Sequence, residues 1–150
     1  MASPETEILL AFDFGLRRIG VASANRRTVT ASPLATLEVA KTIPWDRIDT
    51  LVEEWHPARI LVGLPDPDAA PVIATAATRF AAALAQRYGL PVTSVDETLT
   101  SRAAYSELIM ARRDGTLPKR LRKGRVDSHA ACLIAEQWLR EEHNECRADQ

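Results

Sequence analysis

Short apolar runs alternate with longer amphipathic segments along this chain. Residues 8–14 are apolar apart from Asp13, and a second apolar run, 19–23, follows a turn that contains Gly15 and two arginines. Continuous apolar runs of this length, bounded by turn residues, predict buried strands. The composition of three more segments predicts further strands, at residues 27–31, 59–65 and 91–95.

The amphipathic segments predict helices. Apolar residues recur on one face after Pro44, and the alanine-rich segment from Pro71 stops before Gly89, a residue suited to the end of a helix. The predicted helices cover 44 to about 55, 71 to about 88, 100 or 101 to about 113, and 126 to about 141. A strand meander followed by alternating helices and strands predicts an α/β fold, with a mixed sheet that starts antiparallel and continues parallel.

Two segments are predicted to interrupt these elements. Ser32 and Pro33 should end the third strand, since proline cannot donate to a strand ladder. Residues 115–124 should form a loop that is mobile without substrate, because Gly115 and Gly124 flank it. The tail 142–150 is polar.

Composition adds limits on the class of protein. Apolar residues make up 46% of the 150 residues and the net charge is −1, which is typical of one globular domain over 1–150. No apolar run approaches the roughly 18 residues of a membrane span, and no export signal is evident. We therefore expect a cytoplasmic protein without a membrane partner. The two cysteines, Cys132 and Cys146, have no metal-site or disulfide spacing.

Basic side chains are concentrated in one stretch of the chain. Seven lysines and arginines lie between Arg112 and Arg125, against one acidic residue, Asp114. Such a cluster is either a solvated loop or a phosphate-binding patch, and composition alone favours the solvated loop.

One carboxylate interrupts the first apolar run. Asp13 lies near the C-terminal end of its strand, and Gly15, which lacks a Cβ, allows a tight turn just after it. A buried carboxylate is costly unless it is paired, hydrogen-bonded or bound to a metal. Asp13 therefore needs a partner, either Arg17 or Arg18 in the adjacent turn or a group from elsewhere in the chain.

Two other acidic positions have comparable places. Glu97, with Asp96 beside it, follows the last predicted strand, and Asp127 opens the last predicted helix. The face of that helix continues from Asp127 through Ala131, so Asp127 should point toward the sheet. In α/β sheets, binding sites form beyond the carboxyl ends of the parallel strands.

Three converging carboxylates repel one another unless a cation lies between them. Oxygen ligands suit Mg²⁺ or Mn²⁺, and such a set can hold two ions about 3.5–4 Å apart for phosphodiester cleavage. Each carboxylate also has a simpler explanation: Asp127 can interact with the helix dipole, and Glu97 can lie in an exposed turn.

Four segments together resemble the signatures of one bacterial family. They are Asp13-x-Gly15-x-x-Arg18-x-Gly20, Val62-Gly63-Leu64-Pro65, Val95-Asp96-Glu97-x-Leu99-Thr100-Ser101 and Lys123-Gly124-Arg125-Val126-Asp127-Ser128. This pattern is similar to that of the YqgF/RuvX family, a group described as Holliday-junction resolvases and pre-16S ribosomal RNA nucleases. The resemblance spans about residues 8–140, with the segments in family order.

The resemblance implies an RNase H-like fold, a five-stranded mixed sheet whose first three strands are antiparallel. It implies a metal-dependent endonuclease whose catalytic and metal-binding residues are Asp13, Glu97 and Asp127, with two Mg²⁺ or Mn²⁺ ions. The implied substrate is structured nucleic acid, foremost the 5′ end of precursor 16S ribosomal RNA and otherwise branched DNA, with ribosomal particles as further partners. The expected nucleic-acid contacts are Arg18, Thr100, Ser101, Arg102, Lys119, Arg120, Arg122, Lys123 and Arg125.

Two departures from the family pattern affect the expected contacts. The loop after Pro65 is acidic and proline-rich, beginning Asp66-Pro67-Asp68, and Thr98 stands where an arginine is common. Neither departure touches the three carboxylates.

Two other functions compete with the nuclease. A non-cleaving transcription or ribosome-assembly factor of the same fold should have lost at least one carboxylate, whereas all three are present. A sugar-kinase or actin-like phosphotransferase shares the Asp-x-Gly hairpin but resembles two such domains, for which this chain is too short. The oligomeric state and the choice between RNA and DNA stay open, as does whether Asp96 assists Glu97.

Overall fold

Five strands form one mixed sheet in the computed structural model, which describes residues 7–96 and 122–148, with side chains over 7–96 and 128–142. The strands are β1 (Ile8–Phe14), β2 (Arg18–Asn25), β3 (Thr30–Glu38), β4 (Arg59–Leu64) and β5 (Val92–Asp96). Their order across the sheet is β3-β2-β1-β4-β5. β1, β2 and β3 pair antiparallel, whereas β1 with β4 and β4 with β5 pair parallel. The predicted α/β fold is confirmed.

Three helices are described: α1 (Trp45–Trp55), α2 (Pro71–Tyr88) and α3 (Arg122–Ala148). Proline stands at the first position of α2, and its end is closed by Gly89 in the left-handed region (φ 65°), whose N–H donates to the Ala85 carbonyl. The helix predicted near residues 100–113 lies outside the described residues.

The predicted end of the third strand was wrong. β3 begins at Thr30 and runs through Pro33 to Glu38. Its register with β2 shifts between Val21 and Ala22, which pair with Ala35 and Pro33 respectively. Proline is tolerated there because β3 is an outer strand of the sheet and the position adjoins a bulge.

The predicted bounds of the last helix were also wrong. α3 begins at Arg122, so Gly124 is helical rather than part of a loop, and it continues to Ala148 rather than about 141. Arginine and lysine are good helix formers, and one glycine costs only about 1 kcal/mol relative to alanine. The later turns are tied to the sheet, since Arg26 after β2 forms an ion pair with Glu142.

Helices cover both faces of the sheet. On one face, alternate residues of β1, β2 and β4 pack with α1 and α2 around Phe12, Phe80 and Ile48. On the other, Leu9, Ala11 and their neighbours pack against α3. Two guanidinium groups lie near the ring of Trp138 in α3, that of Arg59 at 5.6 Å and that of Arg26 at 6.0 Å from the ring centroid. Within the described residues, no helix is long and apolar enough to cross a membrane.

Candidate active site

Asp13 lies at the carboxyl end of the central strand, on the face that α3 covers. Leu9 and Ala11 of β1 belong to the core against α3, and strand alternation puts the half-buried Asp13 on their side. It pairs with Gly20 of β2 and Gly63 of β4. Neither of these paired residues places a side chain beside the carboxylate.

The row of paired residues that contains Asp13 continues to the last strand. Gly63 pairs with Val95 of β5, and Val95 is buried in the core on the α3 face. Glu97, two residues after Val95, lies outside the described residues.

Asp127 belongs to the first two turns of α3, and only its backbone is described. Ala131 and Ile134, which follow on the predicted face, are fully buried against the sheet. Position 127 is one turn before Ala131, on the sheet-facing side of the helix. Among the side chains that are described, no group of three or more His, Cys, Asp or Glu forms a metal site.

Arg18 is a cation of the hairpin on the same face of the sheet as Asp13. It begins β2, is half-buried, and shares the α3 face of the sheet with Gly20. Since Asp13 pairs with Gly20, Asp13 and Arg18 are diagonal neighbours, roughly 7–8 Å apart and within reach of a long side chain. The Arg18 side chain is therefore within reach of the Asp13 carboxylate.

The turn between β1 and β2 is held in one shape. A Cβ atom on Gly15 would lie 2.6 Å from the carbonyl oxygen of Arg18, closer than real contacts allow. The Arg17 carbonyl accepts a hydrogen bond of 2.8 Å from the Val39 N–H, at the end of β3. The expected tight approach at Gly15 is confirmed.

Asp96 lies on the opposite face of the sheet from Asp13. It pairs with Leu64, which packs toward α1 and α2. Its surroundings are a groove of about 700 Å³ between β5, the start of α2 and the loop after β4. In that loop, the Asp66 carboxylate accepts a 2.9 Å hydrogen bond from the Asp68 N–H, which closes a turn before α2. Asp66 and Pro67 of the acidic loop therefore border the same groove as Asp96.

The other predicted nucleic-acid contacts fall into two groups. Arg122, Lys123 and Arg125 lie in the first turn of α3, where only the backbone is described. The remaining predicted contacts, Thr100, Ser101, Arg102, Lys119 and Arg120, lie outside the described residues.

Register accounts for what sequence reasoning missed at this edge. Gly20 and Gly63 are part of the recognised signatures, but their places on either side of Asp13 follow from strand pairing. Glycine inside a strand is a signal of close approach by a ligand or another backbone. That signal was available in the sequence, whereas the identity of the facing residue was not.

Comparison with known proteins gives consistent results. A family model described as "RuvX: Holliday junction resolvase" matches residues 7–141. A Legionella pneumophila protein named "Putative pre-16S rRNA nuclease" is 42% identical over 137 residues, covering 89% of this chain and 96% of that protein. A Coxiella burnetii protein of the same name is 41% identical over 141 residues, covering 92% and 96%.

The fold has a counterpart among solved structures. The structure of T. thermophilus RuvC in complex with a Holliday junction substrate superposes with a TM-score of 0.56 at 15% identity. The match covers 91% of this chain and 96% of that one. At this identity the likeness establishes the fold, which is the RNase H-like fold of the resolvases.

Proposed function

The chain belongs to the RuvX family, a family of nucleases, and we propose that it is a metal-dependent endonuclease that cleaves structured nucleic acid. The observation that carries the proposal is the place of Asp13. It is a half-buried carboxylate at the carboxyl end of the central strand, flanked by two glycines, on the sheet face that α3 covers. Sites in α/β sheets form at this edge.

The donor chemistry of the proposed site fits a hard divalent cation. Asp13, Glu97 and Asp127 offer only carboxylate oxygens, which suit Mg²⁺ or Mn²⁺, and the two glycines beside Asp13 leave room on the sheet. A bound cation, or a pair of them, would stabilise the negative charge that develops on the scissile phosphate.

The chain's own residues would position the substrate. Arg18, on the same face as Asp13, would orient the carboxylate or bind a phosphate oxygen. The nucleic-acid strand beside the cleavage site would be bound by Arg122, Lys123 and Arg125 at the start of α3, together with Lys119 and Arg120. The sugar-phosphate backbone of the nucleic acid near Glu97 would be bound by Thr100, Ser101 and Arg102. Binding by these cations should weaken steeply as salt is raised.

The substrate we favour is the 5′ end of precursor 16S ribosomal RNA, because the relatives that are about 42% identical carry that name. Such a substrate would place the protein in the cytoplasm and near ribosomal particles. A four-way DNA junction is the second candidate, favoured by the description of the matching family model.

The test is cleavage of labelled precursor RNA and of a labelled DNA junction, each with Mg²⁺, with Mn²⁺ and with EDTA. We expect cutting that requires the metal and falls about a thousandfold or more in Asp13→Asn, since several kcal/mol of transition-state stabilisation would be lost. Glu53→Gln, an exposed carboxylate on α1, is the control and should cut like the wild type.

Each contrary result has a definite meaning. Metal-independent cutting, or equal cutting by Asp13→Asn, would refute the metal-dependent site. Binding of both substrates without cutting would favour a non-cleaving module of the same fold. Cutting of the junction alone would replace the RNA substrate with DNA.

A further inference from the structure

The hairpin turn beside Asp13 exposes an apolar side chain. Leu16 is 51% exposed at the turn between β1 and β2, three residues after Asp13. Three residues of extended chain span at most roughly 10 Å, so the Leu16 backbone lies close to the proposed cleavage edge. Arg17 follows it and is also exposed.

The backbone of this turn makes a close contact at Gly15 and a hydrogen bond at Arg17. Gly15 packs against the Arg18 carbonyl so closely that a Cβ atom would collide with it, and the Arg17 carbonyl is hydrogen-bonded to the Val39 N–H. A side chain on an ordered turn can contact a ligand without the entropy cost of first ordering the turn.

A comparison within the chain shows why the place of Leu16 matters. Val29, 42% exposed, occupies the turn between β2 and β3 at the other end of the sheet, with a positive φ of 56°. Val72, 69% exposed, lies on α2. Isolated exposed apolar residues are ordinary, and these two need no ligand. Leu16 differs because its turn follows directly on the strand end that carries the candidate catalytic carboxylate, Asp13, whereas the turn of Val29 lies at the opposite end of the sheet.

We propose that Leu16 and Arg17 form a nucleotide-reading tip, in which Leu16 packs on the face of an unstacked base and Arg17 binds the adjoining phosphate. This inference rests on the proposed function and narrows its substrate class. A stacked duplex hides the faces of its bases, so an apolar side chain reaches one only where a base step has opened. Opening costs least where a nucleotide is already unpaired.

The preferred substrates are therefore those with an unpaired nucleotide at the cut, such as a bulge, a branch point or the boundary between duplex and single strand. The two residues should contribute differently. Leu16 gives the preference for unpaired nucleotides, whereas Arg17 contacts the phosphate, which is present in every substrate.

The test uses two labelled RNA hairpins that differ only by one bulged nucleotide, with affinities measured by fluorescence anisotropy in EDTA. We expect the wild type to bind the bulged hairpin roughly tenfold more tightly, the scale expected for partial burial of one leucine. Leu16→Ser should remove this preference, and Leu16→Met should retain it because the side chain stays apolar. Arg17→Gln should weaken both hairpins alike and lower the slope of log affinity against log salt by about 1.

Val29→Ser is the matched control and should keep the wild-type preference. A wild type that binds both hairpins equally, or a Leu16→Ser variant that keeps the preference, would overturn the inference. Absence of binding to either hairpin would overturn it as well. Parallel reactions with Mg²⁺ separate the two proposals, because a preference that depends on Leu16 without cutting refutes the nuclease and leaves the tip intact.

Discussion

The two faces of the sheet are covered by side chains of different size. Toward α1 and α2, Phe80 contacts Phe12 and Phe14 with ring centroids 5.6 and 5.0 Å away, and Trp45 lies 5.8 Å from the same ring. Toward α3, small side chains make up much of the core. They are Ala11, Ala22, Ala24, Ala131, Cys132 and Ala135.

This difference separates two tasks. Large rings fill the space between the sheet and the pair α1 and α2, on the face that does not carry Asp13. Small side chains let α3 lie close against the strands, at close-packed density. The α3 face is also the face of Asp13 and of position 127. We infer that the aromatic face chiefly supplies stability and that the small-residue face sets the distance between candidate catalytic groups.

The largest expected effect on stability is at the aromatic face. Phe80→Ala should lower the free energy of unfolding by about 3–5 kcal/mol, because it removes a fully buried ring and leaves a cavity. Measured by urea denaturation, this loss should come without loss of nuclease activity per folded molecule. Phe80→Leu provides a milder variant if Phe80→Ala does not fold. A fall in activity per folded molecule in Phe80→Leu would contradict the separation of tasks.

A pair of matched substitutions tests the other face directly. Ala131 on α3 and Ala77 on α2 are both fully buried, each between its helix and the sheet. Replacing either with leucine should cost about 1–3 kcal/mol, through overpacking. Only Ala131→Leu should also lower cleavage in excess of the unfolded fraction, because it moves α3 away from Asp13. Equal activities for the two variants, at a temperature where both are folded, would argue against close packing of α3 as a requirement of the site.

Much of this architecture could be predicted from periodicity and from residues with special backbone preferences. Proline at position 71 and glycine at 89 bound α2 as expected, and the apolar runs located β1, β2, β4 and β5. Pro33 was misjudged because a proline is tolerated only on an outer or bulged strand, and neither property is local. The start of α3 was misjudged because Gly124 weakens a helix without ending it.

Prediction of the site had a similar limit. Alternation along β1 predicts on which face of the sheet Asp13 lies. The identity of the residues that flank it, Gly20 and Gly63, follows only from the register of β1 with two other strands. The question of whether Asp96 assists Glu97 could not be answered from adjacency in the chain. Neighbours in a strand point to opposite faces, and pairing with Leu64 identifies the face of Asp96 as the one away from Asp13.

Alkali should weaken the small-residue face. Burial, with a smaller contribution from the charge of Glu136, raises the pKa of the Cys132 thiol from 9.0 to about 12. The folded state therefore holds the thiol proton more tightly than the unfolded chain does. The contribution of the protonated Cys132 thiol to the free energy of unfolding is complete below pH 9 and is lost as pH rises toward 12. The stability difference between the wild type and Cys132→Ala should shift against the wild type over that range, and a constant difference would show that the thiol is not shielded.

Acid should weaken the aromatic face, at the contact between α1 and α2. Arg87 donates two hydrogen bonds to the Asp49 carboxylate, at 2.8 and 2.7 Å, and the Tyr88 hydroxyl donates a third at 2.6 Å. These bonds, with that of Arg87 the strongest cause, lower the pKa of Asp49 from 3.8 to about 2. The folded state thus favours the charged carboxylate, and the stabilisation is present above about pH 4 and lost as pH falls toward 2.

The contact of Asp49 with Arg87 is exposed. Its effect on the free energy of unfolding should therefore be smaller than those at Phe80, Ala131 and Cys132, and it should weaken in salt. A double-mutant cycle with Asp49→Asn and Arg87→Gln, followed by thermal unfolding between pH 7 and pH 2, measures it. The coupling should be favourable at pH 7 and disappear near pH 2. A coupling that persisted in acid would mean that the hydrogen bonds between Arg87 and the Asp49 carboxyl group hold α1 to α2 without the carboxylate charge. The aromatic face would then be insensitive to acid, and the contrast in pH response between the two faces would rest on Cys132 alone.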